Sequence, residues 1–82
     1  MEKISFLNYK ENLNKLIQDF LANDSLEENT KASLIKLSEI LNQYSFENRL
    51  DKKGLLSHTI IDSLELNYSF GEKFIMFDNS IK

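Results

Sequence analysis

The chain contains no proline and only two glycines, so over most of its length nothing in it stops a helix. Apolar residues recur along it at spacings of three and four, the repeat that lines one face of a helix. Together these features predict an all-α fold: a small antiparallel bundle of four helices, about 4-22, 26-45, 51-66 and 70-81, forming a single helical domain 1-82. A chain of 82 residues buries only about 60–65% of its unfolded surface, so its core is thin. Small domains offset this with disulfides, metals, close helix packing or a partner. With no cysteine and one histidine, disulfides and a structural zinc site are set aside. Helix packing and a partner remain.

In the first helix Phe6, Tyr9, Leu13, Leu16, Ile17 and Phe20 share one face. Ser25 and Glu28 stand in the S-x-x-E arrangement that pairs unbonded amides at a helix start, and Leu26, Thr30, Leu34, Leu37, Leu41 and Tyr44 follow in phase. Asn23-Asp24 is a short connection that favours a helical hairpin. The third helix takes Asp51 as its cap. Leu56, Ile60 and Leu64 line one side, widened by Ile61, and Leu55 and Leu66 lie nearly opposite. A helix apolar on two sides is expected at the centre of a fold. In the fourth, Ser69 and Glu72 repeat the capping box, and Phe70, Phe74, Phe77 and Ile81 make the buried face. A strand over 73–77 is the competing assignment there, but no second strand is available to pair with it.

Residues 54–78 hold both glycines, the single histidine and four of the nine aromatics, so a specific surface is expected there first. His58, Asp62 and Glu65 fall at i, i+4 and i+7 on one line of a helix. That spacing suits a metal or an acid–base pair, but a single helix cannot wrap an ion. The plain alternative is a solvated stripe in which His58 pairs with Asp62. Tyr68 lies outside both neighbouring helical registers; a loop tyrosine there is either an interface residue or a ring packed on the next helix. Tyr44 and Phe46 pose the same choice. Ile35 points away from its leucine stripe, among Glu28 and Glu39, as a solitary exposed side chain or as part of a partner surface. No catalytic, cofactor-binding or metal residue is assigned. G-x-S-x-G and glycine-rich phosphate loops are both missing from the sequence.

The run D-x-x-G-L-L-x-H-x-x-x-D-S-x-E-L from Asp51, followed by a tight link and a short aromatic helix, resembles the small all-helical immunity proteins of bacterial toxin–immunity systems. The residues that carry the resemblance are Leu55, Leu56, His58, Ile61, Ser63, Leu64 and Glu65, with Phe74 and Phe77 after them. It covers the chain from Asp51 onward; the first half matches only as generic helix. The resemblance implies a stoichiometric inhibitor that covers a cognate toxin's active site and has none of its own. No toxin-contacting residue can be carried over by motif.

The net charge of −3 with interleaved signs argues against nucleic acid as the ligand, since Arg49, Lys52 and Lys53 form the one small basic cluster. The N-terminal stretch has neither the signal-peptide pattern nor the length of apolar run that a membrane span needs, so a cytoplasmic protein is expected. The leading expectation is a non-enzymatic protein-binding module, as a monomer or weak homodimer. Its partner face would carry His58, Asp62, Glu65 and Tyr68, with Glu28, Ile35 and Glu39 alongside. The competing classes are a self-associating structural module of a phage or mobile element, through Ile35, Ile75 and Met76, and a metal-binding protein or enzyme using His58 and Asp62.

Overall fold

The structure, a computed structural model, describes residues 2–23, 25–64 and 66–82, with the Ser63 side chain also left out. The link residue Asp24 and the candidate Glu65 lie outside the described residues. The fold is all-helical: α1 (Lys3–Leu21), α2 (Glu28–Leu41), a single-turn α3 (Arg49–Lys52), α4 (Leu55–Ser63) and α5 (Tyr68–Ser80). The four longer helices close a ring in which α1 and α4 each pack against both α2 and α5. Neighbours run antiparallel. Lys10 near the start of α1 donates to the Tyr44 carbonyl just past α2, at 2.6 Å. Phe6 of α1 meets Phe77 of α5 at 5.6 Å between ring centroids. The Leu56 amide at the start of α4 donates to the Tyr44 hydroxyl, and Ser57 meets Asp78. Among the described residues, no helix is long and apolar enough to cross a membrane.

The apolar stripes predict the core well. Phe6, Leu13 and Ile17 of α1, Leu34, Leu37 and Leu41 of α2, and all of Phe70, Phe74, Phe77 and Ile81 are buried. Phe77 is the hub, with the rings of Phe6, Tyr9 and Tyr44 around it; such pairs add to simple area burial. Tyr44 is buried and Phe46 packs edge-on against Phe6, so these two loop aromatics belong to the core. Phe20 departs from its stripe: it is 42% exposed at the far end of α1, against Phe70.

The helix starts differ from expectation. α2 begins at Glu28 and ends at Leu41, shorter than 26-45, and its N-cap Glu27 makes no side-chain cap bond. The Ser25–Glu28 box does not form there, because the Ser25 amide is already held by Asn23 Oδ1 at 2.9 Å, an Asx turn that stops the helix from starting sooner. α5 begins at Tyr68, two residues before the expected start, because Asn67 rather than Ser69 is the cap, accepting from the Ser69 amide at 2.9 Å. Lys73 to Phe77 are helical, which removes the strand alternative.

The expected third helix, 51-66, is two helices. Gly54 sits at φ +98°, in the left-handed region that side chains disfavour, and it divides α3 from α4. Asp51 is therefore inside α3 rather than a cap. The cap of α4 comes from another helix. Asp78 of α5 is fully buried, and its Oδ1 accepts from the Tyr44 hydroxyl at 2.8 Å and the Gly54 amide at 2.9 Å. Its Oδ2 accepts from the Ser57 amide at 3.1 Å and the Ser57 hydroxyl at 2.7 Å. The Tyr44 oxygen in turn accepts from the Leu56 amide at 3.0 Å. Burial, reinforced by the neighbouring carboxylate, pushes the Tyr44 phenol well above its ordinary value, which keeps it a neutral donor.

Asp78 stands near the C-terminus of its own helix, the wrong pole for an anion, at a cost of about 0.3–1 kcal/mol. Each hydrogen bond to a charged group returns about 1.5–3 kcal/mol, and the start of α4 offers its own favourable pole. The cross-helix cap wins.

The cations at this end are used in the same way. Lys53 donates to the Ile81 carbonyl at 2.8 Å and Arg49 to those of Phe46 and Lys82, closing the ends of helices where cations are favoured. Arg49 also lies 3.8 Å above the Phe46 ring. Two members of the basic cluster are thus spent on the fold.

The third helix is also not the most buried, as had been expected. Leu56 is the one fully buried hydrophobic residue of α4, and Ile61 is 73% exposed. α2 and α5 carry the most buried residues, five each. Where α4 and α5 cross, Gly71 lets Ile60 approach so closely that a Cβ on residue 71 would lie 3.1 Å from its Cγ2. Urea denaturation should rank the cap: Asp78→Ala is expected to lose about 3 kcal/mol or more, Tyr44→Phe about 1–2 kcal/mol. A domain this size has only about 4–12 kcal/mol in total, so the Asp78 variant should lie close to unfolding.

Candidate functional site

α4 ends at Ser63 and α5 begins at Tyr68 and runs back beside it, and the described candidates of the C-terminal half, His58, Asp62 and Tyr68, lie on these two helices. His58 and Asp62 form the expected pair on the outer face of α4, Nε2 to Oδ2 at 3.0 Å, with both side chains largely in water. A pair so exposed is screened and contributes little. The Ser57 hydroxyl next to it is committed to Asp78. Among the described residues, no three His, Asp or Glu side chains are placed to hold a metal ion.

Tyr68 is the first residue of α5 rather than a loop residue. Its ring is not packed on a neighbouring helix: it is 79% exposed. The Asn67 cap fixes the direction in which α5 starts, and so fixes where Tyr68 stands. Beside it lies a cleft of about 170 Å3 between α4 and α5, lined by Ile60, Ile61, Leu66, Gly71, Glu72 and Ile75 together with Asn67 and Tyr68. Tyr68 and Ile61 are two of the three most exposed large apolar side chains described, and both stand on this cleft. Asp62 follows Ile61 on α4, and Glu72 is the one charged residue of the lining. The result is an apolar recess with one carboxylate, Glu72, in its lining, while Asp62 is turned to His58.

A second, larger recess of about 350 Å3 opens on the other flank of α5, lined by Phe20, Asn67, Ser69, Phe70 and Lys73. Phe20 and Phe70 already meet edge-on there, at 4.6 Å, and none of the predicted site residues lines it. The structure leaves the candidates on α2 apart from those on α4 and α5. Glu28, Ile35 and Glu39 are exposed on that helix, in phase along its outer side, and no residue of α2 lines either recess.

Of the predicted residues, the structure thus brings together His58 and Asp62, and places Tyr68 at the start of the next helix. Sequence reasoning missed Ile61 and Glu72 as surface residues, and named Ile75 only for self-association. Ile61 had been counted as core because it adjoins Ile60, and only the position of α5 decides which of the two is covered. Compared with protein families, curated proteins and solved structures, the chain matches none.

Replacing His58 by Ala should change unfolding free energy by no more than about 0.5 kcal/mol. Zinc added to the wild-type protein should leave its melting temperature where it was, as scanning calorimetry can check. A zinc-dependent rise lost in the His58 variant would bring the metal-site reading back.

Proposed function

We propose that the chain is a non-catalytic protein-binding module, an inhibitor of the immunity-protein type that covers the active site of a toxin. The observation that carries this reading is the pairing of Tyr68 and Ile61, both exposed, on an apolar cleft whose lining includes Glu72. Exposed aromatic and aliphatic anchors around a recess, with charges at the rim, are what a binding surface uses. Tyrosine is suited to this because its ring is large and rigid and costs little entropy to fix. The net charge of −3 would steer the chain toward a basic partner and speed association.

A rigid scaffold matters to such an inhibitor. Occlusion needs a surface that loses little freedom on binding, and the cross-helix cap by Asp78 holds α4 to α5 directly. Glu28, Ile35 and Glu39 belong to a separate face and take no part in this contact. A second reading, self-association, draws on Met76, 57% exposed beside the half-buried Ile75; a sizing column that returned a dimer burying those two residues would favour it.

The test is binding and inhibition by the purified chain against the protein that it captures. Wild-type chain should abolish that protein's activity at one-to-one stoichiometry. Tyr68→Ala and Asp62→Lys should each weaken binding by about 1–2 kcal/mol, roughly five- to thirtyfold, with thermal stability unchanged. Unaltered affinity in both variants would sink the proposed face.

A further inference from the structure

We propose that the α4–α5 cleft receives a single apolar side chain of the partner, presented beside a lysine or arginine. This rests on the protein-binding reading above and specifies what that partner must offer. The size of the recess sets the occupant. An apolar cavity of about 150 Å3 accommodates a benzene ring, so the cleft of about 170 Å3 has room for one leucine-, methionine- or phenylalanine-sized group and not for a helix. Its walls agree: Ile60, Ile61, Leu66 and Ile75 supply apolar surface, and no lining side chain apart from Asn67, Tyr68 and Glu72 is polar. Gly71, with no side chain, lets Ile60 close against α5 at the wall of the recess.

Charge selects what flanks the anchor. The lining carries Glu72 and no lysine or arginine, and Asp62 follows the exposed Ile61 on the adjoining helix. A basic residue beside the anchor gains at Glu72, while an acidic one is repelled. The same argument disfavours a second copy of this chain. Two such faces brought together would set Glu72 of one copy near Glu72 of the other, with like charges opposed at short range. The cation next to it in sequence, Lys73, lines the other recess.

The experiment is a titration of the full chain, followed by methyl and amide NMR, with three capped tripeptides: Lys-Leu-Lys, Lys-Ser-Lys and Glu-Leu-Glu. Lys-Leu-Lys at millimolar concentration should shift the methyls of Ile61 and Ile75 and the Gly71 amide in a saturable, salt-sensitive manner. Loss of the leucine, or reversal of the flanking charge, should weaken the response about fivefold or more. Glu72→Lys should weaken Lys-Leu-Lys to a similar extent and improve Glu-Leu-Glu. Ile61→Ala, at an exposed position, provides a second variant that cannot fail by unfolding the core. Equal responses to all three peptides, no saturable response, or shifts centred on Phe20 and Phe70 would each overturn the proposal. The reading on which it rests fails differently, through a captured partner indifferent to Tyr68→Ala and Asp62→Lys.

Discussion

One buried carboxylate organises this small protein. Asp78 receives hydrogen bonds from Tyr44, Gly54 and Ser57, which ties α5 to the end of α2, to the α3–α4 turn and to the first turn of α4. In a chain without disulfides, each segment would otherwise depend on a thin layer of apolar contacts. A buried charge without partners would cost several kcal/mol; here the four donor groups around Asp78 make it a joint. The donors benefit too, because three of the amides that a helix start leaves unbonded, Gly54, Leu56 and Ser57, find acceptors in side chains from elsewhere. Among the described residues, no buried side-chain nitrogen or oxygen lacks a partner.

That joint has consequences for the surface. Holding α4 by its first turn lets the rest of the helix lie against α5 at the close Ile60–Gly71 contact. Ile60 goes in, and Ile61 is left in water. The chain then enters α5 through Asn67, whose cap directs α5 so that Tyr68 stands beside the same cleft. The proposed binding face is thus a by-product of how two helices are joined, at the opposite end of α4 from the cap that holds them.

The helices and nearly all of the core were legible in the sequence because they follow from periodicity. Phe70, Phe74, Phe77 and Ile81 needed only a spacing rule. The cap by Asp78 was not legible, since its donors are remote in sequence and no local pattern joins them. A trace existed: Asp78 borders the phenylalanine stripe, and Gly54 interrupts an otherwise uniform helical run. Two local signals misled for one reason. Ser25 and Ser69 both sit in capping-box spacing, but in each case the asparagine two residues earlier takes the serine amide first. For the site, the His58–Asp62 pair was legible and the exposure of Tyr68 was one of two readings of its position, while the burial of Ile61 depended on a neighbour that the sequence could not position.

If the Asp78 cap joins the helices, the start of α4 is held as firmly as the core. Native-state hydrogen exchange measures this directly at the amides of Gly54, Leu56 and Ser57, whose acceptors are the side chains of Asp78 and Tyr44. If the cap is the joint of the fold, these three exchange only through global unfolding, with the same protection as the amides of Leu37 and Phe74. Exchange at the rate of a frayed first turn, with the core amides still protected, would contradict it.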